Sequence, residues 1–248
     1  MNPASPLDNV RIVLSHTSHP GNIGATARAM KTMGLSKLYL VNPKSFPDSE
    51  ADARASNARD ILAAAHVCDN LTAALNNTVL ATALTARHRD LPHPTCNARQ
   101  AAAELMRYAQ HHPVALVFGR ESAGLTAAEI SRCQLTVRIP ANPDYSSLNL
   151  AAAVQVIAYE LRMVLEEAAV IQPPVIASLP DAASLQEIEG LHHHLEQVMI
   201  HSGFLDPVHP KHLMRRMRRL FARTRLEKEE VNILRGLLTA VDPQRFKH

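Results

Sequence analysis

Short β-favouring apolar runs alternate with helical stretches through the first two-thirds of this 248-residue chain. That rhythm, more than any single residue, limits what the chain can fold into. The runs are Val10 to Leu14, Lys37 to Val41, Thr78 to Ala83, Val114 to Phe118 and Leu135 to Ile139, with a helix from about Asn22 between the first two. Strands separated by helical crossovers pair in parallel, so the fold class is α/β with a parallel sheet flanked by helices. Thr126-Ala-Ala-Glu129 has the capping-box pattern and opens a helix between the last two runs. A long helix over Leu148 to Glu166 closes the domain. It is rich in Ala and Val on almost every face, which suits packing against both the sheet and a second subunit, so a homodimer is expected.

Gln172-Pro173-Pro174 and Pro180 stop that helix and favour an extended linker. The reading is a domain over residues 1–170, a linker over 171–183 and an all-helical extension over 184–248. Helices there are expected from Ser184, with Glu187 as capping partner, from about Pro210, and around Glu229 to Leu238. The extension is too small for a large core of its own.

Apolar residues make up 46% of the chain and charged ones 20%, which describes an ordinary soluble protein. The first ten residues have neither a basic nor an apolar signal region, and no uncharged apolar stretch of about 18 residues follows, so a cytoplasmic location is expected. Cys68, Cys96 and Cys133 are odd in number and far apart, which points to reduced thiols. His192, His193 and His194 are consecutive and cannot converge on one ion from a helix, so they read as a solvated or RNA-facing run and no metal site is expected.

The net charge of +3 says little, but its distribution says more. Between Asp206 and Glu227 no acidic residue occurs, while Lys211, Arg215, Arg216, Arg218, Arg219, Arg223 and Arg225 are all basic. On a helix, Leu213, Met217, Leu220 and Phe221 would form one apolar face and the arginines would cover the rest with no acidic neighbour to pair with, as phosphate contact requires.

Three segments place Gly, small polar or charged residues at strand ends, where ligands of open α/β sheets collect. In Ser18-His-Pro-Gly-Asn-Ile-Gly-Ala-Thr-Ala-Arg28, Pro20, Gly21 and Gly24 permit a tight turn into a helix whose free N–H groups could hold a phosphate, with Arg28 two turns in; a plain turn with a solvated Arg28 is the alternative. In Val117-Phe-Gly-Arg-Glu-Ser-Ala-Gly-Leu125, Arg120 and Glu121 either pair to fix the turn or hold substrate. In Ile139-Pro-Ala-Asn-Pro-Asp-Tyr-Ser-Ser-Leu-Asn149, two prolines forbid regular structure; Ser146 or Ser147 either caps the next helix or serves the site, and Asn149 falls on the first turn. No Gly-x-Gly-x-x-Gly and no P-loop motif is present, so Rossmann and P-loop nucleotide chemistry is not supported.

Taken together, Asn22-Ile-Gly-Ala-Thr-Ala-Arg28, Phe118-Gly-Arg-Glu121 with Gly124-Leu125, and Ile139-Pro-Ala-Asn-Pro with Ser146-Ser-Leu-Asn149 resemble, in order and spacing, the motifs of the SpoU (TrmH-like) branch of the SPOUT methyltransferases. Tyr145-Ser-Ser-Leu-Asn-Leu-Ala-Ala-Ala-Val-Gln155 and His209-Pro-Lys-His-Leu-Met-Arg-Arg-Met-Arg-Arg219 look like the TrmJ subgroup, which methylates the ribose at position 32 of the tRNA anticodon loop. The resemblance implies a trefoil knot in the C-terminal half of the first domain and S-adenosylmethionine bent within it. Contacts to that cofactor would come from Leu84, Thr85, Ala86, Gly119, Ile139, Ser146, Ser147 and Leu148. Where the subgroup more often has Thr-Ser-Ala, this chain has Leu84-Thr85-Ala86. Arg28 is implied as the group that activates the ribose 2′-hydroxyl, with Ser147, Asn149, Arg120 and Glu121 around it, and Asn22 and Arg89 touch the tRNA alongside the basic tail. Because a guanidinium gives up its proton very unwillingly, Arg28 is read as binding the adjacent phosphate and stabilising the developing alkoxide. Competing readings are a ribosomal RNA ribose methyltransferase and a non-catalytic RNA-binding protein on the same fold.

Overall fold

In the computed structural model, residues 5–86, 94–170, 181–242 and 244 are described, with side chains omitted for 168–170. Arg89 and most of the expected linker, residues 171–180 with Pro173, Pro174 and Pro180, lie outside the described residues. The chain divides into two compact units, Met1–Ile176 and Ala177–His248.

The first unit runs β1 (Val10–Ser15), α1 (Pro20–Met33), β2 (Lys37–Val41), α2 (Ser49–Ala55), α3 (Arg59–Ala63), β3 (His66–Cys68), α4 (Leu71–Ala74), β4 (Leu80–Leu84), β5 (Thr95–Asn97), α5 (Ala98–Ala109), β6 (Val114–Phe118), α6 (Ala127–Ile130), β7 (Leu135–Arg138) and α7 (Leu150–Val170). The strands form one sheet, ordered β3-β2-β1-β6-β4-β7-β5, and every pairing is parallel. Every residue of β4 and β6 is buried, as expected of strands covered on both faces. The expected runs correspond to β1, β2, β4, β6 and β7. The sequence reading assigns nothing to β3, β5 and α2 to α5. β3 and β5 are three-residue edge strands too short to show a period, but α5 carries a legible capping box, Asn97 with Gln100.

Two glycines do work that an alanine could not. A Cβ on Gly24 would lie 2.0 Å from the Ala51 carbonyl oxygen, so Gly24 serves the close approach of α1 to α2 and not a loop. A Cβ on Gly119 would lie 2.2 Å from the Gly124 carbonyl carbon, so the chain can fold back at the end of β6 only with glycine there. Burial pushes the Cys133 thiol up to about 12, helped by the charge of Glu129, which keeps it protonated and inert.

In the second unit, α8 (Leu185–His201), α9 (Leu213–Thr224) and α10 (Lys228–Val241) surround a small core of Ala183, Leu191, Leu226 and Val231, with Ile188, Phe221, Leu234 and Leu238 against it. Ser184 and Glu187 form the expected capping box. Asp181 to Ala183, placed in the linker by sequence, join this unit: Ala183 N–H donates to Leu226 O (3.0 Å) and Lys228 N–H to Asp181 O (2.9 Å).

Two expectations for this unit are corrected. Leu220 does not share a packed face with Phe221 and is 44% exposed, because α9 is turned so that Arg218 comes inward. The reading of His192 to His194 as a solvated or RNA-facing run also fails for His192, which is 4% exposed and packs its ring 5.8 Å from that of Phe221.

Candidate active site

The three motif loops lie at the carboxyl ends of β1, β6 and β7, and a chain of side-chain hydrogen bonds links them. Arg120 and Glu121 do not pair with each other. Glu121 reaches the start of α1, where Ser18 N–H (3.1 Å), Ser18 Oγ (2.8 Å), His19 N–H (3.3 Å) and Asn22 Nδ2 (2.9 Å) donate to its carboxylate. A carboxylate, Glu121, therefore stands just before the helix start read as a phosphate cradle, held by the Ser18 and His19 N–H groups and by side chains. Partial burial pushes this carboxyl up, but the hydrogen bonds from Asn22 and Ser18 outweigh it and bring the pKa from 4.5 down to about 2.

Asn22 also accepts from Asn149 Nδ2 through its Oδ1 (3.0 Å), so its amide is taken up by protein partners. Asn149 Oδ1 accepts from Ala151 N–H (3.0 Å) and Ala152 N–H (3.4 Å). Asn149 is thus the cap of α7: of the two alternatives for Ser146 and Ser147 the capping one does not hold, and Asn149 precedes the first turn on which it was expected. The helix begins one residue after it. Among the described residues, Ser146 and Ser147 make no side-chain hydrogen bond, which leaves their hydroxyls available.

Arg120 turns the other way and donates through Nη1 to Glu129 Oε2 (3.3 Å). Glu129, expected only as a capping residue, is 8% exposed and also accepts from Thr126 N–H (2.6 Å) and from Ser15 Oγ at the end of β1. Burial raises its pKa, and the bonds from Ser15 and Thr126 with the Arg120 charge more than reverse this. Ser15 Oγ lies 2.9 Å from His16 Nδ1, extending the network into the β1 loop. Glu129 and Ser15 are the site residues that sequence reasoning missed; the capping signal explained Glu129 fully and hid its second task.

At the ends of β4, β6 and β7 lies a cavity lined by all eight residues expected to meet a cofactor: Leu84, Thr85, Ala86, Gly119, Ile139, Ser146, Ser147 and Leu148. Phe118, Val137 and Leu150 add apolar wall, and Arg120 and Glu121 stand at it as well. Apolar surface for a flat ring system, backbone groups at three strand ends and one charge of each sign suit a ligand that is part nucleoside and part zwitterion. Arg28 does not line this cavity. It is exposed on α1 and, among the described residues, makes no side-chain hydrogen bond or ion pair.

In the second unit, the basic surface is narrower than expected. Arg218 is paired with Glu189 and so is not among the arginines lacking an acidic neighbour, while Arg215 Nη2 lies 2.7 Å from His212 Nδ1. Arg216 and Arg223 are exposed, as is Lys211, and Arg219 is half-buried.

Residues 9–159 match the model of the SpoU rRNA methylase family, and residues 186–248 match that of the tRNA methyltransferase TrmJ C-terminal domain. A Yersinia pestis protein named tRNA (cytidine/uridine-2′-O-)-methyltransferase TrmJ is 49% identical over 239 residues, covering 96% of this chain and 93% of its own. A Pseudomonas aeruginosa protein named tRNA (cytidine/uridine/adenosine-2′-O-)-methyltransferase TrmJ is 49% identical over 241 residues, covering 94% of this chain and 93% of its own. The crystal structure of TrmJ from Z. mobilis superposes with a TM-score of 0.82 at 30% identity, covering 93% of this chain and 98% of that one. With its first unit matching the family model and relatives close to half identical along nearly its whole length, the chain belongs to the SpoU methylase family, in the branch defined by TrmJ.

Proposed function

We propose that the protein transfers a methyl group from S-adenosylmethionine to a ribose 2′-hydroxyl of tRNA, at cytidine or uridine 32 of the anticodon loop, as a cytoplasmic homodimer. The observation that carries this reading is the single cavity wall formed by the 118–124 and 139–148 motifs with the end of β4, and tied to the Ser18–Arg28 motif through Glu121, Asn22 and Asn149. Relatives of this length and identity that are named tRNA ribose methyltransferases support the substrate class.

S-adenosylmethionine, when bound, supplies an electrophilic methyl group on a sulfonium. Leu84, Ile139 and Leu148 offer apolar surface to its adenine, and the backbone around Thr85, Gly119 and Ser146 offers hydrogen bonds. Glu121, ionised at neutral pH, places a negative charge at the cavity where a sulfonium needs one. Arg120, held by Glu129, presents its other guanidinium N–H groups to a carboxylate or phosphate. The trefoil knot belongs to this proposal, since it would bring the 139–149 loop against the ends of β4 and β6.

Most of the rate gain comes from holding the 2′-hydroxyl in line with the methyl group. Ser147, with its hydroxyl free, orients the ribose, and Asn149 acts through Asn22 and not on the RNA. Arg28 stands outside the cavity of its own chain, so in the homodimer it reaches the second subunit's cavity, binding the neighbouring phosphate and stabilising the developing alkoxide. Tyr159 on α7 is 48% exposed in the single chain, which leaves apolar surface there for the second copy. Among the described residues no helix is long and apolar enough to cross a membrane.

The test is methyl transfer to total tRNA followed by mapping of the modified ribose. Arg28→Lys separates the two roles of that residue: loss at every pH fits phosphate binding and alkoxide stabilisation, whereas activity rising steeply into the alkaline range would make the side chain a true base. The two relatives differ in their stated bases, so an adenosine-32 tRNA is the substrate that defines the breadth of the site.

A further inference from the structure

α9 carries the basic run but buries none of its own residues. Apolar packing therefore does little to fix how the helix is rotated on its neighbours; Phe221 at the core edge is its main apolar anchor. A polar clasp supplies the rest. Arg218 Nη2 donates to Glu189 Oε2 (2.9 Å) and Nη1 to Glu189 Oε1, a two-pronged pair between α9 and α8. The same Nη1 lies 3.2 Å from Nδ1 of the buried His192, whose ring packs on Phe221. With Nδ1 accepting from the guanidinium, the ring proton sits on Nε2, a buried atom without a hydrogen-bond partner among the described residues.

The helical period makes the consequence directional. At about 100° per residue, Arg218 sits about 60° from Phe221 on the inner side, while Arg216 and Arg223 sit about 160° and 140° from Arg218. A planar, two-pronged arginine–carboxylate pair fixes rotation as well as distance, which a lysine or a lone apolar contact would not. We infer that Arg218, with Glu189, is a positioning residue for the RNA-binding face: it sets the rotation of α9 so that Arg216, Arg219 and Arg223 point to phosphates, and it does not touch RNA itself. This rests on the reading of α9 as a tRNA-binding helix.

The experiment measures tRNA affinity of the full chain across a range of salt concentrations. Glu189→Gln leaves every arginine in place. If Arg218 is a clasp, this variant binds tRNA about fivefold to tenfold more weakly and with a flatter salt dependence, because phosphate contacts elsewhere on α9 are lost. If Arg218 were a phosphate ligand restrained by Glu189, releasing it would tighten binding and steepen the salt dependence. Either that result or unchanged binding overturns the inference.

The charge swap Arg218→Glu with Glu189→Arg adds a rescue. A clasp predicts affinity and salt slope near those of the original protein, while a lost phosphate contact would leave the slope lower by about 0.9. Thermal melting and cofactor affinity check folding, and Glu189→Gln decides alone if the swap does not fold. Arg216→Gln with Arg223→Gln separates the two levels. If that pair leaves the salt slope unchanged, the RNA reading of α9 fails and the clasp fails with it; a flattened slope there with unaltered binding in Glu189→Gln overturns the clasp only.

Discussion

Glu121 and Glu189 both organise a functional surface, one in each unit, and they do it in different ways. Glu121 accepts from two backbone N–H groups and two side chains, all within the Ser18 to Asn22 segment. Backbone donors of one loop hold it, so its geometry survives only if that loop and the β6 turn keep their spacing. Glu189 holds a side chain on a neighbouring helix, 29 residues away in sequence. That contact needs no motif, only two helix faces that meet. The first arrangement fixes the geometry of individual groups, as methyl transfer requires; the second fixes only the rotation of a whole helix, which suffices to turn charges toward phosphates.

The contrast can be broken at several points. The largest effect is expected at Arg28: Arg28→Ala should lower methyl transfer by about 10²–10³-fold. Cofactor affinity should stay the same, and stability should move by no more than about 0.5 kcal/mol, since the side chain is exposed and, among the described residues, without partners. Calorimetry with S-adenosylmethionine checks the first point and thermal melting the second. A loss of cofactor affinity would contradict the assignment of Arg28 to the RNA phosphate and the developing alkoxide.

Glu121→Gln should follow, with activity down about 10²-fold as the β1 loop loses its anchor. This residue also gives a pH test. Its folded pKa of about 2 lies below the ordinary 4.5, so the stability it adds is fully present above 4.5 and is lost as pH falls through about 2. The stability gap between the original protein and Glu121→Gln should therefore narrow from pH 4.5 downward and close below about 2. A gap that widens with acid would contradict the network.

Asn149→Ala removes the α7 cap and the link to Asn22 together, for about 1 kcal/mol of stability and a moderate loss of rate. Asn149→Ser, which can cap but cannot reach as far as an amide, should recover the stability and leave the rate low. The smallest effect is at the basic helix, where Arg223→Gln alone should lower the slope of log affinity against log salt by about 0.9 and leave cofactor binding as it was.

The same contrast explains what could be read in advance. β1, β2, β6 and β7 were legible because each is a short apolar run closed by a turn, and α8 because Ser184 and Glu187 announce its start. The eight residues expected to meet the cofactor could be named only through the resemblance to the SpoU motifs; spacing alone marked the loops after β6 and β7 as ligand-collecting strand ends and left their alternatives open. What could not be read were contacts between segments. Nothing in the spacing of Arg120 and Glu121 shows that one turns to Glu129 and the other to the start of α1. Likewise, counting acidic residues along the basic run missed Glu189, because α8 reaches Arg218 only once the helices fold together. Charge patterning along a single helix describes its surface only where no neighbouring helix contributes.

The central claim is tested most directly by incubating the purified protein with methyl-labelled S-adenosylmethionine and total RNA, tRNA and ribosomal RNA together, then locating the label by mass spectrometry of nuclease fragments. The account predicts label on the ribose 2′-oxygen of cytidine or uridine 32 in tRNA and none on ribosomal RNA; label confined to ribosomal RNA, label on a base, or no transfer at all would contradict it.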